Sequence, residues 1–207
     1  VGLLDTSCLR EAAVCHDPFD FVVAEALLRP EAVAEVVDDF PVVKGSGSYP
    51  VGRLSYGPAF ARLIAELEGA PLREAIEEKF GLDLGCRPTM ITVRGRSDGK
   101  DGSIHTDSPT KLVTLLLYLN PVWQDPAGRL RLLRSADDLE DCALEVPPLA
   151  GTAVAFRRSE TSFHGHYPHV GERRVLQLNW VTDASIVRRE LGRHTWSARL
   201  KALNPFG

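Results

Sequence analysis

The chain has 207 residues, 44% of them apolar and 25% charged, and its 24 basic and 28 acidic side chains leave a formal net charge of −4. Such a chain can bury a full core without disulfide or metal staples, and its weak acidity gives no electrostatic basis for binding nucleic acid or an anionic membrane surface. No apolar run approaches the roughly 18 residues needed to cross a bilayer, so neither a nucleic-acid nor a membrane partner is expected. The opening VGLLDTSCLREAAVCHD has early charges and no basic-then-apolar order. It does not read as a secretion signal, and a cytoplasmic location is the expectation. Cys8, Cys15, Cys86 and Cys142 are widely and irregularly spaced with no C-x-x-C pair. That excludes a zinc ribbon and argues against a disulfide framework.

Up to about Gly81 the pattern reads mainly helical. Pro30 opens PEAVAEVVDDF at a first-turn position, with Glu31 near the positive end of the helix dipole, and Pro41 stops it. KGSGSYPVGRLSYG follows and reads as a mobile loop by composition. AFARLIAELEG has apolar residues at helical spacing and ends at Gly69. PLREAIEEKFG repeats the design between Pro71 and Gly81. From Arg87 onward the signal changes to strands: PTMITVR, KLVTLLLYLN, GRLRLLR, ALEVPP, GTAVAFR and RVLQLNWV, divided by Gly, Pro, Asp and Ser clusters. The apolar run in TLLLYL predicts a strand covered on both faces. Short strands with turns and no intervening helices predict a sandwich or jelly roll, buttressed by the N-terminal helices as one α+β unit. The expectation is a single domain over 1–207, with a mainly helical support segment at 1–86, a jelly-roll catalytic core at 87–183 and a C-terminal tail at 184–207.

Two segments carry chemistry. In SIHTDSPTKLVTLLLYLN, His105 and Asp107 are two residues apart. On a strand both side chains then share one face, with Cα atoms roughly 7 Å apart, and can converge on one metal ion. In SFHGHYPHVGERRVLQLNWV, His164 adds a second imidazole. Two histidines and one carboxylate form a facial triad that leaves three positions of an octahedral Fe(II) open, and the net positive charge of such a site favours an anionic cosubstrate. Ten residues beyond His164, Arg174 offers a fork suited to a carboxylate. Arg174, Leu176, Leu178 and Trp180 share one strand face, which is expected to face inward. Arg173 is the alternative, because alternation lets only one of the two point in.

His105-Thr-Asp107, TLLLYLN, AGRLRLL, VPPLAGTAVAF and His164 with Pro168 and Arg174 occur in this order. In this the sequence resembles the Fe(II)/2-oxoglutarate-dependent dioxygenases, specifically the prolyl 4-hydroxylase-like branch, over about residues 87–181. The resemblance implies a double-stranded β-helix, a jelly roll with the N-terminal helices packed on one sheet. It implies His105, Asp107 and His164 as iron ligands, Arg174 as partner of the distal 2-oxoglutarate carboxylate and Tyr118 as a hydroxyl bonding the same group. Thr114 and Leu116 would line the pocket and Trp180 would pack near the metal. It further implies Fe(II), 2-oxoglutarate and O2 as cofactor and cosubstrates, and hydroxylation rather than halogenation, because related halogenases lack the carboxylate that Asp107 supplies.

The sequence also departs from the family. Arg94 stands where the family carries a tyrosine facing the cosubstrate, and a cation there suits either the cosubstrate or an acidic substrate. RGRSDGKDGSIH is more charged and Gly-rich than the family's version and reads as a flap over the site. His164 is preferred to His166 and His169 on its spacing to Pro168 and Arg174. His166 is read as a neighbour of the ligands and His169 as a surface residue, while Lys111 is read as a solvated cation near the mouth. A peptidyl residue or a small metabolite is the expected substrate. Two rival readings are a cupin-type metal protein that makes no use of 2-oxoglutarate and a non-catalytic binding module.

Overall fold

The computed structural model describes residues 2–188. The expected tail therefore lies, from residue 189 onward, outside the described residues. Helices α1 (Thr6–Glu11), α2 (Pro30–Asp38), α3 (Pro58–Leu67) and α4 (Ala70–Phe80) precede the main run of strands. The helix signals of the sequence have direct structural counterparts. Pro30 and Pro58 occupy first-turn positions, and Gly81 closes α4 in the left-handed conformation at φ 61°. The first turn of α3 is also tied from a distance, because the Ala59 amide donates to Asp39 Oδ2 at 2.6 Å. Phe60, Leu63 and Leu67 of α3 and Leu72, Ile76 and Phe80 of α4 recur at helical spacing on the buried faces.

Among the described residues there are nine strands: β1 (Phe21–Ala24), β2 (Tyr49–Pro50), β3 (Thr89–Ser97), β4 (Lys111–Tyr118), β5 (Leu130–Leu133), β6 (Cys142–Val146), β7 (Ala153–Arg157), β8 (His164–Gly165) and β9 (Gly171–Val181). They form a six-stranded sheet in the order β1-β7-β4-β9-β3-β2 and a three-stranded sheet in the order β6-β5-β8. Every strand pair is antiparallel. The architecture is the expected α+β double-stranded β-helix with the helices on one face of the larger sheet.

Three short strands escaped the sequence reading. β1 lies inside the segment read as helical, where it extends the large sheet beside β7. The loop read as mobile supplies β2, paired to β3, and a single 3-10 turn at Val51–Arg53. β8 is only two residues long, too short for any period to register.

The large sheet separates two cores. On its outer face Ile91, Val93, Leu115, Leu117, Leu176, Leu178 and Trp180 pack with the helical residues Leu9, Val36, Phe60, Leu63 and Ile76. Between the sheets Phe19, Phe21, Tyr118, Leu130, Leu132, Val146, Val154, Phe156 and Val175 form a smaller cluster. β4 is therefore covered on both faces, as its continuous apolar run predicts. Among the described residues no helix is long and apolar enough to cross a membrane.

Candidate active site

The space between the sheets that the smaller core leaves unfilled is a cavity of about 380 Å³. Strand alternation decides what lines it. β3 contributes Met90, Thr92 and Arg94, β4 contributes Thr114 and Leu116, and β9 contributes Arg173, Val175, Gln177, Asn179 and Val181. The loop before β4 adds His105 and Asp107, the first residue of β4 adds Lys111, and β8 and its continuation add His164 and His166.

His105 and His164 face each other as a two-residue antiparallel bridge. The His105 amide donates to the His164 carbonyl and the His164 amide to the His105 carbonyl, both at 3.0 Å. The imidazoles are thereby brought to 4.4 Å between ring centres. Each ring is turned by its own neighbourhood: His105 Nδ1 lies 2.8 Å from the Ser103 carbonyl and His164 Nδ1 3.0 Å from the Ser162 carbonyl. A carbonyl only accepts, so each Nδ1 carries a proton, and in the neutral imidazole Nε2 is the nitrogen with the lone pair. One ligand atom from each of His105, Asp107 and His164 lies within 4.8 Å of the others. Among the described residues no other group of three such side chains is so placed.

The electrostatics suit a metal. Burial and the adjacent His105 hold the His164 pKa at about 4, so the imidazole is neutral at physiological pH. Burial works to raise the Asp107 pKa, but Lys111, His164 and the hydrogen bonds from Lys111 and Thr114 outweigh it, and the net direction is down. The carboxylate is charged and ready to bind a cation. His166 is also held at about 4, by burial and then by the nearby Arg173.

β9 corrects the expectation about the arginine. Arg173 is 5% exposed and lines the cavity, and its Nε donates to the Gly128 carbonyl at 2.8 Å. Its guanidinium carbon lies 5.5 Å from the centre of the Tyr118 ring. Arg174 points the other way, with its guanidinium 5.2 Å over the Phe40 ring and its Nε 3.0 Å from Glu172 Oε1. The alternation rule holds, but the phase assumed from the sequence is reversed. Leu176, Leu178 and Trp180, taken as the inward set, form the dry face against the helices. Trp180 therefore does not pack near the His-Asp-His cluster.

The other expected residues divide. Thr114, Leu116 and Arg94 line the cavity, and Arg94 is paired with Asp101 at 2.6 Å. Tyr118 is fully buried behind the lining, with the Arg173 guanidinium against its ring. Burial pushes its pKa up and the Arg173 charge pulls partly back. His169 is not a solvated surface residue: its Nδ1 lies 2.7 Å from Asp125 Oδ2 and its ring packs on Trp123 at 4.6 Å. Lys111 is not a free cation, because its Nζ donates to Asp107 Oδ1 at 2.6 Å. The sequence reading missed Gln177 and Asn179. The signal was present, since Gln177 and Asn179 fall on the parity of Arg173, opposite the apolar Leu176, Leu178 and Trp180.

Comparison with known proteins agrees with this geometry. The profile of the 2OG-Fe(II) oxygenase superfamily matches residues 92–182. No curated protein matches the sequence. Among solved structures, a Pseudomonas putida prolyl-4-hydroxylase is similar at 21% identity and TM-score 0.56, over 85% of this chain and 90% of that one. A Trichoplax adhaerens prolyl hydroxylase, solved with a hypoxia inducible factor peptide fragment, is similar at 16% identity and TM-score 0.58, over 85% and 88%. HygX from Streptomyces hygroscopicus, solved with nickel and 2-oxoglutarate, is similar at 14% identity and TM-score 0.53, over 79% and 83%. Residues 92–182 thus match the 2OG-Fe(II) oxygenase superfamily, and the fold that brings the His-Asp-His cluster together is similar to that of the prolyl hydroxylases.

Proposed function

We propose that the chain hydroxylates an unactivated C–H bond of a peptidyl residue or a small polar metabolite. The observation that supports this reading is the convergence, in one cavity, of the His105-Asp107-His164 cluster and the buried Arg173. Two imidazoles and a carboxylate fit Fe(II). A buried guanidinium on the cavity wall, with the buried Tyr118 beside it, fits a carboxylate. His105, Asp107 and His164 would hold the metal, and Arg173 would hold the distal carboxylate of 2-oxoglutarate. When bound, the iron and cosubstrate supply the oxidising power: 2-oxoglutarate and O2 become succinate and CO2 as one oxygen atom enters the substrate C–H bond.

The protein's own contribution is placement. The backbone bridge between His105 and His164 fixes two ligands before any metal arrives. Arg173, with Tyr118 beneath it, sets the depth to which a dicarboxylate enters. The polar lining of Thr92, Arg94, Gln177 and Asn179 suits a substrate with hydrogen-bonding groups. A peptidyl substrate draws support from the two prolyl hydroxylase structures, and the polar walls suit a metabolite equally well.

The test is to add Fe(II) and then 2-oxoglutarate anaerobically and to follow the weak visible charge-transfer band of the chelate. The reading expects a band that His164→Ala abolishes. Iron binding with no band would favour a metal protein that makes no use of 2-oxoglutarate. No iron binding would favour a non-catalytic module.

A further inference from the structure

The Asp107 carboxylate is gripped unequally at its two oxygens. Oδ2 accepts from Thr114 Oγ1 at 2.5 Å, and Thr114 Oγ1 in turn accepts from Asn179 Nδ2 at 2.7 Å. Thr114 and Asn179 are directly opposed partners on β4 and β9, and each is only 1% exposed. The direction of this chain is forced. Thr114 has one hydroxyl proton and spends it on the carboxylate, so it can only accept from Asn179. Asn179 must therefore present its amino group, which leaves Asn179 Oδ1 buried at the cavity wall without a partner among the described residues. The Asp107 carbonyl is also held, by Arg158 Nε at 3.1 Å.

Oδ1 is held differently. Its partner is the Lys111 ammonium at 2.6 Å, on a flexible stem with a side chain 16% exposed. Lys111 lines the same cavity as the Ser108 and Thr110 hydroxyls, to which its head can turn. A rigid neutral chain fixes one oxygen, and a movable cation covers the other.

We propose that Asp107 offers Oδ1 to the metal, that the Lys111 ammonium is a placeholder cation which the metal displaces, and that Thr114 and Asn179 are positioning residues that keep Oδ2 out of competition. This rests on the oxygenase reading for the ligand set and goes beyond it in assigning the two oxygens separate tasks. It makes Lys111 and Thr114 act in opposite directions on one measurable quantity, although both touch the same carboxylate.

The experiment is Mn(II) binding to the apoprotein, without 2-oxoglutarate, followed by the electron paramagnetic resonance signal of free Mn(II). Lys111→Met removes the competing charge and is expected to tighten binding about tenfold. Thr114→Val removes the hydroxyl at nearly constant volume and is expected to weaken binding between about 10- and 100-fold, while Thr114→Ser restores it. Should Thr114→Val fail to fold by circular dichroism, Asn179→Leu carries the same expected weakening. A merely structural role predicts loss in all three deleting variants and no gain in Lys111→Met. The proposal is overturned if Lys111→Met binds Mn(II) no better than the wild type, if Thr114→Val folds and binds like the wild type, or if Thr114→Ser is as weak as Thr114→Val. Absence of Mn(II) binding by the wild type itself would overturn the underlying ligand set, a result distinct from any of these.

Discussion

Replacing Arg173 by Met removes the buried guanidinium from the cavity wall while keeping the side chain's length and most of its volume. If Arg173 is the partner of the distal 2-oxoglutarate carboxylate, the loss is that of charge-assisted hydrogen bonds worth about 1.5–3 kcal/mol. At about 1.4 kcal/mol per decade, the upper value corresponds to roughly 100-fold weaker binding. Arg173→Lys keeps the charge but not the fork, and its loss is expected to be smaller, about tenfold. Arg174→Ala is the matched control one residue along. It removes the contact over Phe40, worth about 0.5–1 kcal/mol, and an ion pair with Glu172, whose side chain is 56% exposed. A chain of this size then melts only about 2–4 °C lower, with cosubstrate affinity unchanged. The assay is isothermal titration of 2-oxoglutarate into the Mn(II)-loaded protein, with a thermal melt of each variant. Loss of affinity in Arg174→Ala together with normal affinity in Arg173→Met would refute the assignment and the reading of β9 on which it rests.

Three further outcomes are expected. His105→Ala and His164→Ala abolish metal binding, measured with Mn(II), whereas His169→Ala retains it and lowers only the melting temperature, since His169 braces Trp123 and Asp125. Stability falls as pH drops from 6.5 toward 4, because His164 and His166, each at about 4 when folded against 6.5 in the unfolded chain, leave the unfolded chain with more bound protons in that window. Unfolding free energies of the apoprotein from urea titrations at pH 7 and pH 5 should differ by on the order of 2 kcal/mol per histidine, and an unchanged value would be the contrary result. Gly102→Ala destabilises the flap. Gly102 has φ 102°, and an added Cβ would lie 2.2 Å from the His166 carbonyl oxygen; the strain is about 1–3 kcal/mol, read as a lower melting temperature and faster proteolysis near residue 100.

The helices α2, α3 and α4 were legible because Pro, Gly and apolar spacing act locally, within one turn of the chain. The main strands were legible because a covered strand such as β4 is apolar throughout. The His105, Asp107 and His164 cluster was legible as well, because only a few residue types bind metals and their spacing restricts the fold. What was misread has a single physical source in β9. Large apolar side chains were assumed to point into the barrel, as they do in a dry sandwich. Here the barrel interior is a polar cavity, and Leu176, Leu178 and Trp180 turn outward to meet Phe60 and Ile76 of the helices. The parity of Arg173, Gln177 and Asn179 carried the correct answer. The roles of Lys111 and His169 were beyond sequence, because each depends on a partner that only the folded chain brings near.

That inversion has a mechanical reason. A cavity that must admit a metal, a dicarboxylate and a substrate cannot also be packed tight, so the sheet that lines it draws its stability from its other face. At β4, Val113 and Leu115 are fully buried in the core shared with the helices, while Thr114 between them turns inward to Asp107. At β9, Leu178 and Trp180 do the same on either side of Asn179. The opposed pair Thr114 and Asn179 is therefore clamped by apolar neighbours that never touch the site. A hydrogen-bond chain along such a pair has little freedom to bend away, and the carboxylate at its end inherits that rigidity. The N-terminal helices, which line no part of the cavity, thus contribute to the site by holding the backbone from which its most buried polar residues project.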